Sequence, residues 1–409
     1  MTVRPISPLL ALLSMPAMMT GLLSFLLVLL SLVWGSPGTA AELSTADVAP
    51  QGWLISAADG ANQALLPLYM SANGEALRLL PTLTPALSQT AGVPSSRAPL
   101  TIKHVMLLVH GTQRNAKDYF ATLSRAAQAE QAAQPAQPIL AETLLLAPQF
   151  LTPSDAPTPA TAGHAETTLA YLRWSAEGWK SGEASIAPAG SSWSSFAAVD
   201  TLLRILAQHE LLPNLQTITI AGHSAGAQFV QRYAAFTPLP EMLSKQGIQL
   251  RFVVANPSSY LYFSPAAAGP AGAAPRCPDS QDYKYGLAHL PPALVALLPS
   301  AWQGMDSIQL GPLLAARYRS RQIVTLLGER DNNPRHRVLD QHCAAQLQGP
   351  HRLARGLAYQ QYLTSAWPLP ADTQAARQPF YVIPNAAHDH AQIFLSTCGR
   401  RVLWGQACE

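Results

Sequence analysis

From Thr101 onward, unbroken apolar runs of strand length alternate with stretches whose apolar residues recur at helical spacing. "HVMLLVHG" (104–111) closes on a glycine, and "NAKDYFATLSRAAQAEQAAQ" (115–134) follows as a helix stopped by Pro135. "ETLLLAPQF" (142–150), "QTITIAG" (216–222), "IQLRFVVANPSS" (248–259), "RQIVTLLGERD" (321–331) and "PFYVIPNAAHDH" (379–390) read as further strands. Runs with little polar alternation suit strands buried on both faces. Helices are predicted over 194–211, with Ser194 or Ser195 as cap, over "AGAQFVQRYAAF" (225–236) and over "AQIFLST" (391–397). The alternation predicts an α/β fold: a mostly parallel central sheet with helices on both faces. Residues 42–99 hold no domain-sized core and read as a short antiparallel entry to that sheet. Two stretches break the rhythm. One is a Pro/Ala/Gly-rich connection (151–192); the other is an insertion (262–319) holding "AAAGPAGAAP" and "DYKYGL", predicted to form a cap. Both are expected to rise over one sheet edge, where connections leaving strand C-termini converge.

The first forty-one residues follow another pattern. Arg4 is followed by an apolar run through Trp34 and then by Gly38, Thr39, Ala40 and Ala41. This reads as a signal peptide over 1–41, with the mature chain at 42–409, or as an uncleaved membrane anchor over 17–34. Either predicts an exported domain, periplasmic or secreted, with membrane contact only through this segment. Four cysteines agree with an oxidising compartment. Their spacing fits no zinc site; the local pair Cys398 and Cys408, and hence Cys277 with Cys343, is the favoured disulfide arrangement, with buried free thiols as the alternative. Charged residues make up only 12% of the chain and the net charge of +3 lies in no basic run, which excludes a nucleic-acid footprint and points to a neutral or apolar substrate.

Chemistry enters at "TIAGHSAGAQF" (219–229), where a strand runs into Gly222-His223-Ser224-Ala225-Gly226 and a helix follows at once. In that context Gly-x-Ser-x-Gly forms a nucleophile elbow: the glycines relieve crowding at a strained turn and the serine Oγ projects from it. Such a serine needs a base, and the base an orienting acid, in the chain order Ser, acid, His. Asp331 in "GERDNNP" is the candidate acid, with Glu329 as rival. His388, after the final strand in "VIPNAAHDHAQIF", is the candidate base ahead of His390, because Asp389 is suited to cap the helix that would fix His390. Oxyanion donors are expected from the backbone N–H groups of Ala225 and of Thr112, the latter in the loop that His110 orients. Trp174, Trp179, Tyr260, Tyr262, Tyr283 and Tyr285 fall in the long connections, where they line an aromatic cleft or pack the loops onto the sheet; Trp174, Trp179, Tyr260 and His110 are the candidate substrate-binding residues.

Gly222–Gly226, Asp331, His388 and His110-Gly111, in this order, resemble the α/β-hydrolase superfamily from Leu65 to the chain end. "LVHGTQRNAKDYF" is similar to the His-Gly loop of exported serine esterases of the polyhydroxybutyrate depolymerase and feruloyl esterase group, with Thr112 where the depolymerase loop carries cysteine. The resemblance implies the α/β-hydrolase fold and hydrolysis of a small or polymeric ester through a Ser-His-Asp triad, with no metal and no organic cofactor. Peptidase, thioesterase and lactonase activities use the same parts, and a non-catalytic exported binding protein on this scaffold is the alternative from another class.

Overall fold

The apolar runs assemble into one sheet because the central ones are buried on both faces and have no other place for their backbone hydrogen bonds, while the edge strand 380–383 is only partly covered. The structure, a computed structural model, describes residues 51–55, 64–71, 101–155, 170–264, 277–368 and 378–408. The N-terminal segment and the "AAAGPAGAAP" stretch lie outside the described residues. The strands are β1 (Gln51–Ile55), β2 (Ala64–Ser71), β3 (His104–Val109), β4 (Thr143–Pro148), β5 (Thr217–His223), β6 (Gln249–Ala255), β7 (Gln322–Gly328) and β8 (Phe380–Ile383). Their order across the eight-stranded sheet is β1-β2-β4-β3-β5-β6-β7-β8. β2 is antiparallel to both neighbours, giving the antiparallel entry expected before Thr101, and the pairings from β4 to β8 are parallel.

Alternation within β3 shows how the layers are made. Val105, Leu107 and Val109 point into one apolar layer, and Met106 and Leu108 into the other. The second layer is closed by α1 (Ala116–Ala133) through Tyr119, Phe120 and Leu123. The first is closed by α2 (Ser195–Leu206), α3 (Ala225–Phe236), α4 (Ser307–Arg319) and α5 (Arg352–Ala366). Ser194 is the α2 cap, accepting from the N–H groups of Phe196 and Ala197. Every residue of α3 is buried, so its Gln228, Gln231 and Arg232 must find polar partners inside the protein. Two short helices, α6 (His390–Phe394) and α7 (Thr397–Leu403), complete the second layer. Fully burying a Leu- or Phe-sized side chain contributes roughly 1.5–3 kcal/mol, so these two layers are the main stabilising term.

The 151–192 connection and the 262–319 insertion meet above the C-terminal strand ends: the Tyr283 hydroxyl donates to the Ser181 carbonyl at 2.6 Å, and Lys284 pairs with Glu177 at 2.5 Å. The expected convergence is therefore observed. Cys277–Cys343 ties the insertion to the segment after β7, and Cys398–Cys408 closes the C-terminus. Among the described residues no helix is long and apolar enough to cross a membrane.

Candidate active site

Ser224 stands between β5 and α3 with φ 60° and ψ −116°, a conformation that side-chain-bearing residues rarely adopt. Strain of about 1–3 kcal/mol is typical there, and the surrounding backbone must hold it. The holding is visible. The Ser224 N–H donates to the Ala255 carbonyl at the end of β6 at 2.9 Å, and a Cβ on Gly222 would run into the Gly226 carbonyl. A Cβ on Gly226 would run into the Val109 carbonyl, so both motif glycines are required by backbone packed on backbone.

His388 lies in the loop after β8, with Nε2 2.9 Å from Ser224 Oγ and Nδ1 2.7 Å from Asp331 Oδ2. A carboxylate only accepts, so Nδ1 carries the proton and Nε2 is free to accept the serine proton. Asp331 follows β7 and is 3% exposed, whereas its rival Glu329 points to the surface and accepts from the Asn385 N–H at 2.7 Å. His390 starts α6 and stacks on Tyr119 at a centroid distance of 4.0 Å; Asp389 caps that helix, as its position suggested.

The N–H groups of Thr112 and Ala225 make no hydrogen bond among the described residues, and both residues line the cavity at Ser224. Ala225 is the first residue of α3, where the amide has no intrahelical partner. His110 is fully buried: Nε2 accepts from the Phe150 N–H at 3.0 Å, and Nδ1 lies 2.9 Å from the Gly111 carbonyl. Burial holds its pKa down at about 4, so it is neutral and orients the peptide leading to Thr112.

Arg352, fully buried on α5, donates to Asp331 Oδ1 at 3.4 Å, Ser258 Oγ at 3.1 Å and the Val338 carbonyl at 2.8 Å. Burial, together with the Arg352 cation and the His336 ring, holds His388 well below the ordinary imidazole value. The neutral imidazole is the form that accepts a proton. The acid limb of kcat/KM is therefore expected below pH 6.5, and Arg352→Met, which removes a cation opposing protonation, should move it upward. A pH-rate profile of both proteins checks this; an acid limb above 6.5 in the unaltered protein would contradict it.

Two cavities meet at Ser224. The larger, about 710 Å³, is lined by Thr112, Ala225, Gln228, Tyr283 and Tyr285, and by a set of charged residues. The smaller, about 240 Å³, is lined by Tyr119, His223, His336, His388 and His390, and also reaches Thr112. One expectation is corrected here. Trp174, Trp179, Tyr260 and His110 are each 0% exposed and line neither cavity. Trp179 stacks on Phe150 at 5.4 Å and Tyr260 on Tyr359 at 4.4 Å, because these segments fold back and join the apolar layer that α2 and α3 close. The cavity beside Ser224 has Glu177, Lys180, Glu183, Lys284 and Asp340 on its walls. A low average charge says nothing of where loops gather the charges the chain has.

Sequence reasoning missed three positioning groups. Asn256, with φ 51°, accepts from the Gly328 N–H at 2.7 Å and donates to the Ala387 carbonyl at 3.4 Å, joining the loops that carry Asp331 and His388. Arg352 is the second. The third is the buried pair of Tyr119 and His223, whose OH and Nδ1 lie 3.0 Å apart beside the His388 ring. His223 was the unassigned position within the elbow motif, and a polar residue in a fully apolar strand end is the signal that could have found it. Among the described residues, no group of three or more His, Cys, Asp or Glu could hold a metal ion.

No family model matches the chain, and no curated protein matches it. Among solved structures it is similar to a poly(3-hydroxybutyrate) depolymerase from Bordetella parapertussis, at 19% identity over 89% of this chain and 92% of that one, with a TM-score of 0.52. It is also similar to poly(aspartic acid) hydrolase-1 from Sphingomonas sp. KT-1, at 18% identity over 88% of this chain and 99% of that one, with a TM-score of 0.49. The fold is the α/β-hydrolase fold expected from the motif order.

Proposed function

We propose that the protein is an exported serine hydrolase that cleaves carboxylic esters. The observation that carries this reading is the continuous hydrogen-bonded line from Ser224 Oγ through His388 to Asp331, with distances of 2.9 and 2.7 Å. Ser224 Oγ attacks the ester carbonyl carbon while its proton passes to His388 Nε2, and the N–H groups of Thr112 and Ala225 receive the oxyanion. The bond to the alcohol oxygen then breaks and His388 returns the proton to that oxygen. Water repeats the sequence on the acyl-enzyme, giving a proton to Nε2 and releasing the acid as Ser224 regains its hydrogen. Asp331 holds the tautomer that leaves Nε2 open throughout.

The likeness to a poly(3-hydroxybutyrate) depolymerase is consistent with ester cleavage. Peptidase, thioesterase or lactonase chemistry uses the same residues, and a binding protein would not need so complete a hydrogen-bond line. Export is supported by the N-terminal apolar segment in the sequence and by two disulfides. The 262–319 segment acts as a cap, since Tyr283 and Tyr285 from it line the larger cavity. The test is a set of p-nitrophenyl esters of rising acyl length beside a feruloyl ester, a thioester and a peptide anilide. The oxygen esters are expected to be cleaved with the highest kcat/KM; turnover of the anilide alone would make the protein a peptidase.

A further inference from the structure

Among the described residues the larger cavity is lined by more carboxylates (Glu177, Glu183, Asp279, Asp282 and Asp340) than lysines (Lys180 and Lys284). Its two lysines are already engaged: Lys180 pairs with Glu177 at 2.6 Å, and Lys284 with Glu177 at 2.5 Å and with Asp340 at 3.5 Å. Asp340 also accepts from the Tyr285 hydroxyl at 3.0 Å. Towards the rim, among the described residues the Asp282 and Asp279 carboxylates pair only with the imidazoles of His289 and His342, at 2.9 and 3.5 Å. Arg232, behind the wall and fully buried, bonds the Lys180 carbonyl, Gln228 and Ser259 rather than a carboxylate.

Glu183 is different from the rest. Its half-buried carboxylate lines this cavity and makes no hydrogen bond or ion pair among the described residues. Burial and the neighbouring Glu177 carboxylate raise its pKa against the opposing pull of the Lys284 and Arg232 cations. On the same wall Ser181, 1% exposed, has a buried Oγ with no hydrogen-bond partner among the described residues. A buried hydroxyl without a partner and an open carboxylate lining the same cavity suit a group that donates hydrogen bonds and carries positive charge.

The two cavities also differ in which part of an ester they can take. His388 lines the smaller and not the larger, whereas Ala225 and Gln228 line the larger and not the smaller. The leaving oxygen must sit where His388 Nε2 can protonate it, so the alcohol belongs on the smaller side and the acyl chain extends into the larger.

We propose that the larger cavity selects an acyl group bearing an ammonium, held by Glu183 and Ser181. The inference rests on the ester-hydrolase reading of Ser224 and names the substrate class of that site.

Three p-nitrophenyl esters of matched length test it: ω-aminohexanoate, its neutral isostere heptanoate, and the pimelate monoester with a terminal carboxylate. The ammonium ester is expected to exceed the heptanoate in kcat/KM by about tenfold, the scale of one charge-assisted contact of ~1.4 kcal/mol. That ratio should fall towards one in Glu183→Gln and shrink with added salt. Competitive inhibition gives a reading that needs no variant: pentylammonium should inhibit heptanoate hydrolysis more strongly than pentanol does. A ratio of one or less in the unaltered protein, or preference for the carboxylate ester, overturns the proposal and in the second case assigns the contact to the lysines. Failure to cleave any of the three brings down the ester-hydrolase reading and this proposal with it, whereas cleavage of all three at equal rates brings down this proposal alone.

Discussion

Replacing Ser224 with alanine is expected to lower kcat/KM on the best ester by roughly 10⁴- to 10⁶-fold, the scale seen when a nucleophile that works as part of a unit is removed. The size of the loss follows from geometry. Oγ is the atom that faces His388 Nε2 at 2.9 Å, and no other hydroxyl in the described residues shares that contact. Alanine tolerates φ 60° no better and no worse than serine, so the elbow keeps its strain and its two glycines keep their packing. The melting temperature should therefore move by only a few degrees, on the scale of a change below about 1 kcal/mol. A fluorophosphonate probe should label the unaltered protein and leave Ser224→Ala unlabelled. Undiminished turnover by a folded Ser224→Ala protein would show that the elbow is only a turn.

The second large effect separates two histidines that lie two residues apart. His388→Ala should reduce kcat by roughly 10⁴-fold or more, since it takes away the proton acceptor and the hydrogen-bonded link to Asp331 together. His390→Ala removes a ring that stacks on Tyr119 at 4.0 Å and contacts the His223 ring from the side. Its loss acts through position alone and should cost about tenfold or less. Steady-state kinetics on both folded variants decides between them. If His390→Ala were the crippled protein and His388→Ala nearly intact, the base would have to be moved along the chain and the 2.7 Å contact with Asp331 read as structural.

Much of this was legible in the chain because it depends on neighbours in sequence. An unbroken apolar run such as 105–109 is satisfied inside a sheet, and the need for Gly222 beside Ser224 is explained by its own neighbour Gly226, whereas Gly226 is required by the Val109 carbonyl at the end of β3. The order of Ser224, Asp331 and His388 was readable for a related reason. Parallel strands bring their C-terminal ends to one edge, so the residues that follow β5, β7 and β8 must come near each other. Disulfide partners were likewise favoured by separation along the chain, at least for Cys398 and Cys408.

What only the tertiary structure decided is what depends on loops meeting loops. Trp174, Trp179 and Tyr260 sit in irregular segments that carry no periodicity, so nothing local distinguishes an aromatic that faces a cleft from one that packs beneath it. Arg352 is a cation in a helix with no motif around it; its contact with Asp331 exists because α5 packs on the sheet with that side chain turned toward the strand ends. The charged cavity is the strongest case. Glu177, Glu183, Lys284 and Asp340 come from three separate connections, each polar in an ordinary way, and the field they make together arises only where the folded chain brings them to one wall beside Ser224. Periodicity encodes which face of an element is buried, and elements far apart in sequence share no periodicity; their encounter is fixed by packing, which is a property of the whole fold.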